Sequence, residues 1–269
     1  ILYRITKTMK AVIYPNLPPG KNANPYIKDF VSALHRSGIQ VGNAPHKNPL
    51  FSICFKKIDA DFYFFHWIED VSNHKFGYLQ AFMAIVFLLR IRLYKKKIIW
   101  FLHNKEGHAT NHKRIRKRII SLLIKYSNHI ITHASDGRAI IKEPFREKVT
   151  FIDHPTKNRI KKTDPASVLP PHFDLLIWGS ISRYKGVLEF LQFMSRTNST
   201  LKVNIVGKCK DEQLLSELQA TKTDSVRLEN KGASFEELDG YIRDAKFVLI
   251  PYHSASILSS GILMDSLSY

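Results

Sequence analysis

Residues 173–186, with the sequence FDLLIWGSISRYKG, decide the fold. The segment begins with a mostly apolar stretch, Phe173 to Trp178, that predicts a strand, and a turn beginning at Gly179 follows it. The apolar pattern after Gly186 has a helical period. Backbone amides at the start of such a helix, together with the Lys185 ammonium group, can bind a phosphate. An ordinary strand-to-helix turn with a solvated lysine is the alternative interpretation.

The same alternation of strand and helix extends over the whole chain. Strands alternating with helices predict parallel sheets that are covered on both faces and have Rossmann-like crossovers. We therefore expect an α/β protein with two Rossmann-like domains whose parallel sheets face each other across a cleft. Further strands are predicted at Met9–Tyr14, Asp61–Trp67, Lys97–Leu102, His129–Thr132, Val149–Ile152, Leu201–Val206, Val226–Leu228 and Phe247–Ile250. Helices are predicted at Pro25–Arg36, Lys75–Leu89, Gly186–Met194, Asp211–Ala220, Phe235–Arg243 and Gly261–Tyr269.

The domain boundaries follow from a segment rich in Lys, Pro and Asp that has no apolar period. We expect an N-terminal Rossmann-like domain over residues 1–160, a linker over 161–172, and a C-terminal Rossmann-like domain over 173–269. The chain begins at Ile1 without a methionine and stops within a predicted helix. We therefore expect a fragment whose second domain is incomplete.

The composition excludes a disordered or collagen-like chain, since 44% of the 269 residues are hydrophobic and 24% are charged. Two cysteines, Cys54 and Cys209, provide no disulfide framework, which favours a cytoplasmic protein. The longest apolar run, Tyr78 to Leu89, is too short to cross a bilayer.

The charge is concentrated in one block of the sequence. The formal net charge is +18, and the segment from Arg90 to Lys125 contains twelve basic residues and one acid, Glu106. Such a block attracts a polyanion, which is either nucleic acid or the anionic surface of a membrane. A merely soluble basic surface is the third interpretation.

Several familiar motifs are missing or weak. The chain has neither the Gly-x-Gly-x-x-Gly fingerprint of dinucleotide-binding proteins nor a P-loop. Asp59 and Asp61 imitate an Asp-x-Asp metal clamp, but they precede their strand, so a strand-capping role is favoured. His103, His108 and His112 lie in a predicted turn and have no cysteine partner, so no metal site is predicted.

Gly179–Gly186 directly follows a predicted strand and opens a helix. This segment is similar to the donor-binding loop of GT-B glycosyltransferases, and especially of the retaining glycosyltransferase family 4, whose pattern is Gly-Arg-x-x-x-x-Lys-Gly, with Lys185 and Gly186 matching. Ser180 replaces the usual arginine, and Arg183 is a candidate substitute. Residues 248–268 resemble the family's strand, proline turn, small-residue loop and helix. Asp265 occupies the second acidic position of its Glu, seven residues, Glu motif, whereas Ile257 occupies the first.

The resemblance implies that the N-terminal domain is the acceptor-side domain and that the C-terminal domain binds the nucleotide sugar. It also implies a set of site residues. The donor's diphosphate and ribose would be bound by Gly179, Ser180, Arg183, Lys185, Ser259, Ser260, Gly261 and Asp265. The N-terminal half resembles the family less closely, at the strand ends Phe65–Trp67 and Trp100–Asn104. Since open α/β sheets bind ligands at strand carboxyl ends, His103 is the candidate contact to the sugar or its acceptor. A structural histidine that fixes its loop is the alternative.

The resemblance also implies a function. We expect a metal-independent hexosyltransferase, without cofactor, that transfers a sugar from a nucleoside-diphosphate sugar to a lipid-linked glycan or saccharide acceptor in bacterial surface polysaccharide synthesis, with retention. The basic, apolar-flanked residues Arg114, Lys117 and Arg118 favour a peripheral enzyme on the inner face of the plasma membrane that does not bind nucleic acid. The alternatives are a nucleic-acid-binding protein and a sugar-nucleotide-binding protein without catalytic activity.

Overall fold

The computed structural model describes residues 8–16, 24–42, 57–104, 112–159, 170–253 and 260–269. The chain divides into two compact units, Ile1–Asp153 and His154–Tyr269. The expected linker, 161–172, lies mostly outside the described residues, so the predicted domain boundaries stay a prediction. Ser259, His108 and Cys54 also lie outside them.

The N-terminal unit contains a sheet of six parallel strands in the order β2-β1-β3-β4-β5-β6. The strands are β1 (Lys10–Tyr14), β2 (Gln40–Val41), β3 (Phe62–His66), β4 (Lys97–Leu102), β5 (His129–Thr132) and β6 (Val149–Phe151). The short edge strand β2 has no sequence signal of its own. Strand β4 is buried at every residue after Lys97, which agrees with its unbroken apolar sequence.

Within the described ranges, four α-helices accompany this sheet: α1 (Pro25–Arg36), α2 (Gly77–Leu93), α3 (Lys113–Tyr126) and α4 (Gly137–Ile140). Helix α1 begins at a cap that the sequence contains, since the Asn24 side chain accepts a hydrogen bond from the Tyr26 amide and Pro25 follows the cap. Helix α2 continues four residues beyond the predicted end at Leu89. In the described part of the chain, every helix falls short of the length and apolar character that a membrane crossing requires.

The C-terminal unit contains four parallel strands in the order β10-β7-β8-β9. They are β7 (Phe173–Trp178), β8 (Val203–Val206), β9 (Val226–Glu229) and β10 (Ala245–Val248). Its helices are α5 (Val187–Arg196), α6 (Glu212–Thr221), α7 (Phe235–Arg243) and α8 (Gly261–Ser266). The core lies between β7, β8 and helices α5 and α6, and includes Ile177, Leu191, Met194, Ile205, Leu214 and Leu218.

Most predicted elements of this unit differ by one to three residues at an end. For β10 and α8 the structure shows the reason. Strand β10 begins at Ala245 and not at Phe247, because its pairing with β7 joins Ala245 to Phe173. Helix α8 ends at Ser266, and the expected extension to Tyr269 is a turn in which the Tyr269 hydroxyl donates to the Phe235 carbonyl, 2.7 Å away. The predicted cap of α7 is confirmed, since Ser234 and Glu237 form a reciprocal capping box.

The N-terminal unit buries a carboxyl group beside its sheet. Glu69 is fully buried, and its Oε2 accepts a hydrogen bond of 3.1 Å from Trp100 Nε1. Burial, with a smaller effect of the neighbouring Asp70 charge, raises the pKa of Glu69 to about 7. Folding therefore favours the protonated acid. This contribution to stability is complete below the unfolded pKa, near 4.5, and is lost as the pH rises to about 7.

We expect Glu69→Gln to increase the stability of the N-terminal unit at pH 8 but not at pH 4.5. The amide keeps the oxygen that accepts from Trp100 and removes the cost of ionising a buried acid, about 3 kcal/mol for the raised pKa. Urea unfolding followed by tryptophan fluorescence at both pH values measures this. The exposed Glu147→Gln is the control, for which no such difference is expected. Equal destabilisation of Glu69→Gln at both pH values would contradict the interpretation.

Candidate functional site

Two glycines bend the chain sharply between β7 and α5. Gly179 has a φ of +99° and Gly186 a φ of +69°, both in the left-handed region that favours glycine. A Cβ on Gly186 would lie 1.9 Å from the Pro251 carbonyl oxygen, and one on Gly179 would lie 2.4 Å from Ile262 Cδ1. The turn therefore packs directly against the segment after β10 and against α8, which brings the two segments of the family resemblance together.

Lys185 occupies the centre of this turn and is only 6% exposed. Its ammonium group donates a hydrogen bond of 2.9 Å to Ser180 Oγ and lies 5.4 Å from the centre of the Tyr252 ring. Burial lowers the pKa of Lys185 to about 8. Lys185, Ser180 and Tyr252 line a small pocket. Trp178, Ile250 and Ile262 line it as well. Among the described residues, the hydrogen bond of this buried cation goes to one hydroxyl group, so the ammonium group is suited to bind an anion.

Arg183, the candidate substitute for the missing arginine, has other partners. Its guanidinium donates two hydrogen bonds to the Glu217 carboxylate, at 2.9 and 3.0 Å, and lies 3.5 Å from Asp211. These contacts raise its pKa, with the Glu217 hydrogen bond as the largest cause. Since the pairing is bidentate and the side chain is half-exposed, the structure places Arg183 in a surface ion pair with helix α6.

The second segment supplies a hydroxyl and an aromatic wall. Tyr252 is largely buried, which raises the pKa of its phenol, and it hydrogen-bonds Ser260. The Ser260 side chain also caps α8 by accepting from the Leu263 amide at 3.2 Å. Gly261 is the first residue of α8. Ser260 and Gly261 therefore lie beside the lysine turn, as the resemblance implies.

The acidic candidate, Asp265, has a basic partner that the sequence pattern did not indicate. Arg159 Nη2 lies 3.7 Å from Asp265 Oδ1, and its guanidinium stacks 3.6 Å from the centre of the Phe235 ring. The Trp178 indole donates to Ser266 Oγ at 2.9 Å and thereby fixes α8 against β7. Arg159 precedes the predicted linker in a segment without apolar periodicity, so no local pattern marked it.

The N-terminal unit gathers three histidines at the carboxyl ends of its strands. His66 Nδ1 and His103 Nε2 form a hydrogen bond of 3.1 Å, and Trp67 stacks on the His103 ring with 4.3 Å between centroids. The Tyr26 hydroxyl forms a hydrogen bond of 2.8 Å with His133 Nε2. Burial, followed by the neighbouring imidazoles, lowers the pKa of His66 well below its ordinary value. His66 is therefore neutral near pH 7 and orients the buried His103.

The remaining candidates of this unit lie away from that cluster. In the ranges that the structure describes, no group of three or more His, Cys, Asp or Glu side chains could hold a metal ion. Asp61 Oδ2 accepts from the Lys10 amide at 2.9 Å, which agrees with the predicted strand-capping role. Arg114, Lys117 and Arg118 are exposed on α3, whereas their neighbour Arg116 forms an ion pair of 2.8 Å with Asp70.

Solved structures resemble the chain over most of its length. Anabaena HepE in complex with UDP and glucose has a TM-score of 0.59 at 11% identity, over 90% of this chain and 73% of that one. A glycosyltransferase from Rickettsia africae has a TM-score of 0.52 at 12% identity, over 92% and 73% of the two chains. The chain has the GT-B fold.

AviGT4, a glycosyltransferase involved in avilamycin A biosynthesis, shares this fold with a TM-score of 0.51 at 14% identity, over 90% of this chain and 69% of that one. No family model matches the sequence, and no curated protein matches it. The comparisons therefore establish the GT-B fold alone. The evidence for a reaction comes from the side chains of the site.

We expect Gly186→Ala to destabilise the C-terminal unit by more than about 2 kcal/mol, since a left-handed alanine costs about 1–2 kcal/mol before its contact with Pro251 is counted. Gly232→Ala is the control, because a Cβ there meets nothing within 4 Å. Thermal unfolding of the two variants measures the difference. If both variants unfold at the wild-type temperature, the close packing of the turn against Pro251 is wrong.

Proposed function

We propose that this protein transfers a sugar from a nucleoside-diphosphate sugar to a hydroxyl group. The observation that carries the proposal is the buried Lys185 ammonium group, held by Ser180 between two left-handed glycines at the start of α5. HepE, with the same fold, has been solved with UDP and glucose and with UDP-glucose. UDP is therefore the first nucleotide to test.

Lys185 would stabilise the leaving diphosphate. In the transfer step, the bond between the sugar's anomeric carbon and the phosphate oxygen breaks, and its electron pair leaves with the nucleoside diphosphate. The Lys185 ammonium group and the amides near Ser260 and Gly261 would bear the developing negative charge. We propose that these groups act without a divalent metal, which activity in the presence of EDTA would test.

The acceptor hydroxyl forms the new bond to the anomeric carbon and releases its proton. The family resemblance favours retention, with an oxygen of the leaving phosphate accepting that proton. We propose a saccharide or lipid-linked glycan of a surface polysaccharide as the acceptor. His103, oriented by His66 at the carboxyl end of β4, would contact the transferred sugar or the acceptor.

The alternative of a sugar-nucleotide-binding protein without catalysis is motivated by Ser180, which replaces a cation of the family loop. Incubation of the intact protein with UDP-sugars and saccharide acceptors separates the two functions. Transfer is supported if the wild type releases UDP and if His103→Ala releases it more slowly while binding UDP with unchanged affinity. Tight UDP binding with no turnover of any donor supports the binding protein.

We expect Lys185→Met to weaken UDP binding at pH 7 by at least about tenfold, since a hydrogen bond to a charged group contributes about 1.5–3 kcal/mol. Wild-type affinity should also fall about tenfold between pH 7 and pH 9, because the ammonium group loses its proton around pH 8 while the phosphate, with a second pKa near 6, stays ionised. Isothermal titration calorimetry measures both effects.

The exposed Lys208→Met serves as the control and should keep the wild-type affinity and its pH dependence. Lys185→Met should abolish the decrease in UDP affinity between pH 7 and pH 9. If Lys185→Met binds UDP with the wild-type affinity, Lys185 does not bind the phosphate.

A further inference from the structure

Helix α2 has an apolar face that the N-terminal unit leaves uncovered. Five large side chains follow each other at intervals of three or four residues, and this spacing places them on one side of the helix. We call them the apolar stripe: Tyr78, Phe82, Val86, Leu89 and Leu93, with exposed fractions of 67%, 64%, 38%, 42% and 77%. The opposite side, which includes Ala84, Leu88 and Ile91, is fully buried. The helix is therefore apolar on both sides but packed on only one.

Positive charge surrounds the apolar stripe. Lys75 and Arg92 are exposed near the two ends of α2, and α3, which packs against α2, exposes a further basic set. That set is Lys113, Arg114, Lys117 and Arg118. Neither helix contains an acid. The 3₁₀ turn Ile68–Asn73 packs against both helices, and its acids do not offset the charge, since Glu69 is buried with a raised pKa and Asp70 is paired with Arg116.

Charge decides among the possible occupants of this surface. A second copy of the chain would bring two cationic rims together, which like-charge repulsion opposes. Nucleic acid would satisfy the lysines and arginines and could stack bases on Tyr78 and Phe82. It would gain little from the exposed aliphatic side chains of the stripe, Val86, Leu89 and Leu93. An anionic lipid surface satisfies both features, because phosphate headgroups attract the cations and the adjacent acyl region accepts the apolar side chains.

We propose that the N-terminal unit binds the surface of an anionic membrane through α2, with the apolar stripe inserted at the headgroup level and the basic residues of α3 on the phosphates. This surface is separate from the Lys185 turn, so the inference goes beyond the proposed glycosyltransferase function and does not depend on it. It would place the protein peripherally on a membrane leaflet rich in anionic lipid.

Vesicle sedimentation of the intact protein tests the inference. We compare phosphatidylcholine vesicles with vesicles that also contain phosphatidylglycerol. We expect binding to the anionic vesicles only, weakening as salt increases, and a loss of roughly fivefold for each α3 cation removed, as in Lys117→Gln and Arg118→Gln. Phe82→Ser with Leu93→Ser should reduce binding at least tenfold. Leu89→Ser alone, a milder change on the same stripe, should reduce it less.

Matched controls come from the C-terminal unit, where Phe193 is 55% exposed and Lys208 and Lys210 are also exposed. Phe193→Ser, and Lys208→Gln with Lys210→Gln, should bind vesicles like the wild type. All variants should bind UDP as the wild type does, so failure of this inference is distinguishable from failure of the proposed function. Equal binding to both vesicle types would overturn it. A dimer that Leu93→Ser dissociates, or a nucleic-acid gel shift at physiological salt that the α3 variants abolish, would also overturn it.

Discussion

The C-terminal unit depends on the burial of one cation. The Lys185 ammonium group donates a hydrogen bond to Ser180 and faces the Tyr252 ring. Its charge is therefore buried in a pocket and not hydrated by bulk water. Such burial is costly, as the lowered pKa shows. The glycines at 179 and 186 enforce this arrangement because no other residue fits between β7, Pro251 and α8. The turn therefore holds a buried positive charge beside a closely packed backbone before any ligand arrives.

The sequence predicted strand bounds best where a strand is buried along its length. β4 has its predicted bounds because a continuous apolar run suits the interior of a parallel sheet. β7 also has its predicted bounds, although Asp174 interrupts its apolar residues and only Leu176 and Ile177 are buried. Local patterns failed where tertiary contacts decide an element's extent. Strand β2 is two residues long and exists through pairing with β1, and the start of β10 is set by its register with β7.

The candidate site was predictable in part. Lys185 and its glycines follow from the motif, since their backbone conformation is a local property. The partners of Arg183 and Asp265 could not be predicted in this way. Glu217 and Arg159 are distant from them in sequence and lie in segments without a motif. The hydrogen bond between His66 and His103 is equally long-range, although His66 lies one residue before the end of a predicted strand and His103 directly follows another. Helix α2 is a different case. Its apolar character is evident from the sequence, but only the structure shows which side of the helix is exposed to solvent.

The pKa of the Lys185 amine decides whether this residue is the cation that binds the diphosphate, and NMR of its ε-carbon with and without UDP measures that pKa. A value near 8 is expected in the free protein. On saturation with UDP the pKa should rise by at least one unit, because a phosphate stabilises the charged form. A free amine that titrates near its ordinary value of about 10.4, or one whose pKa does not respond to UDP, would contradict this role of Lys185.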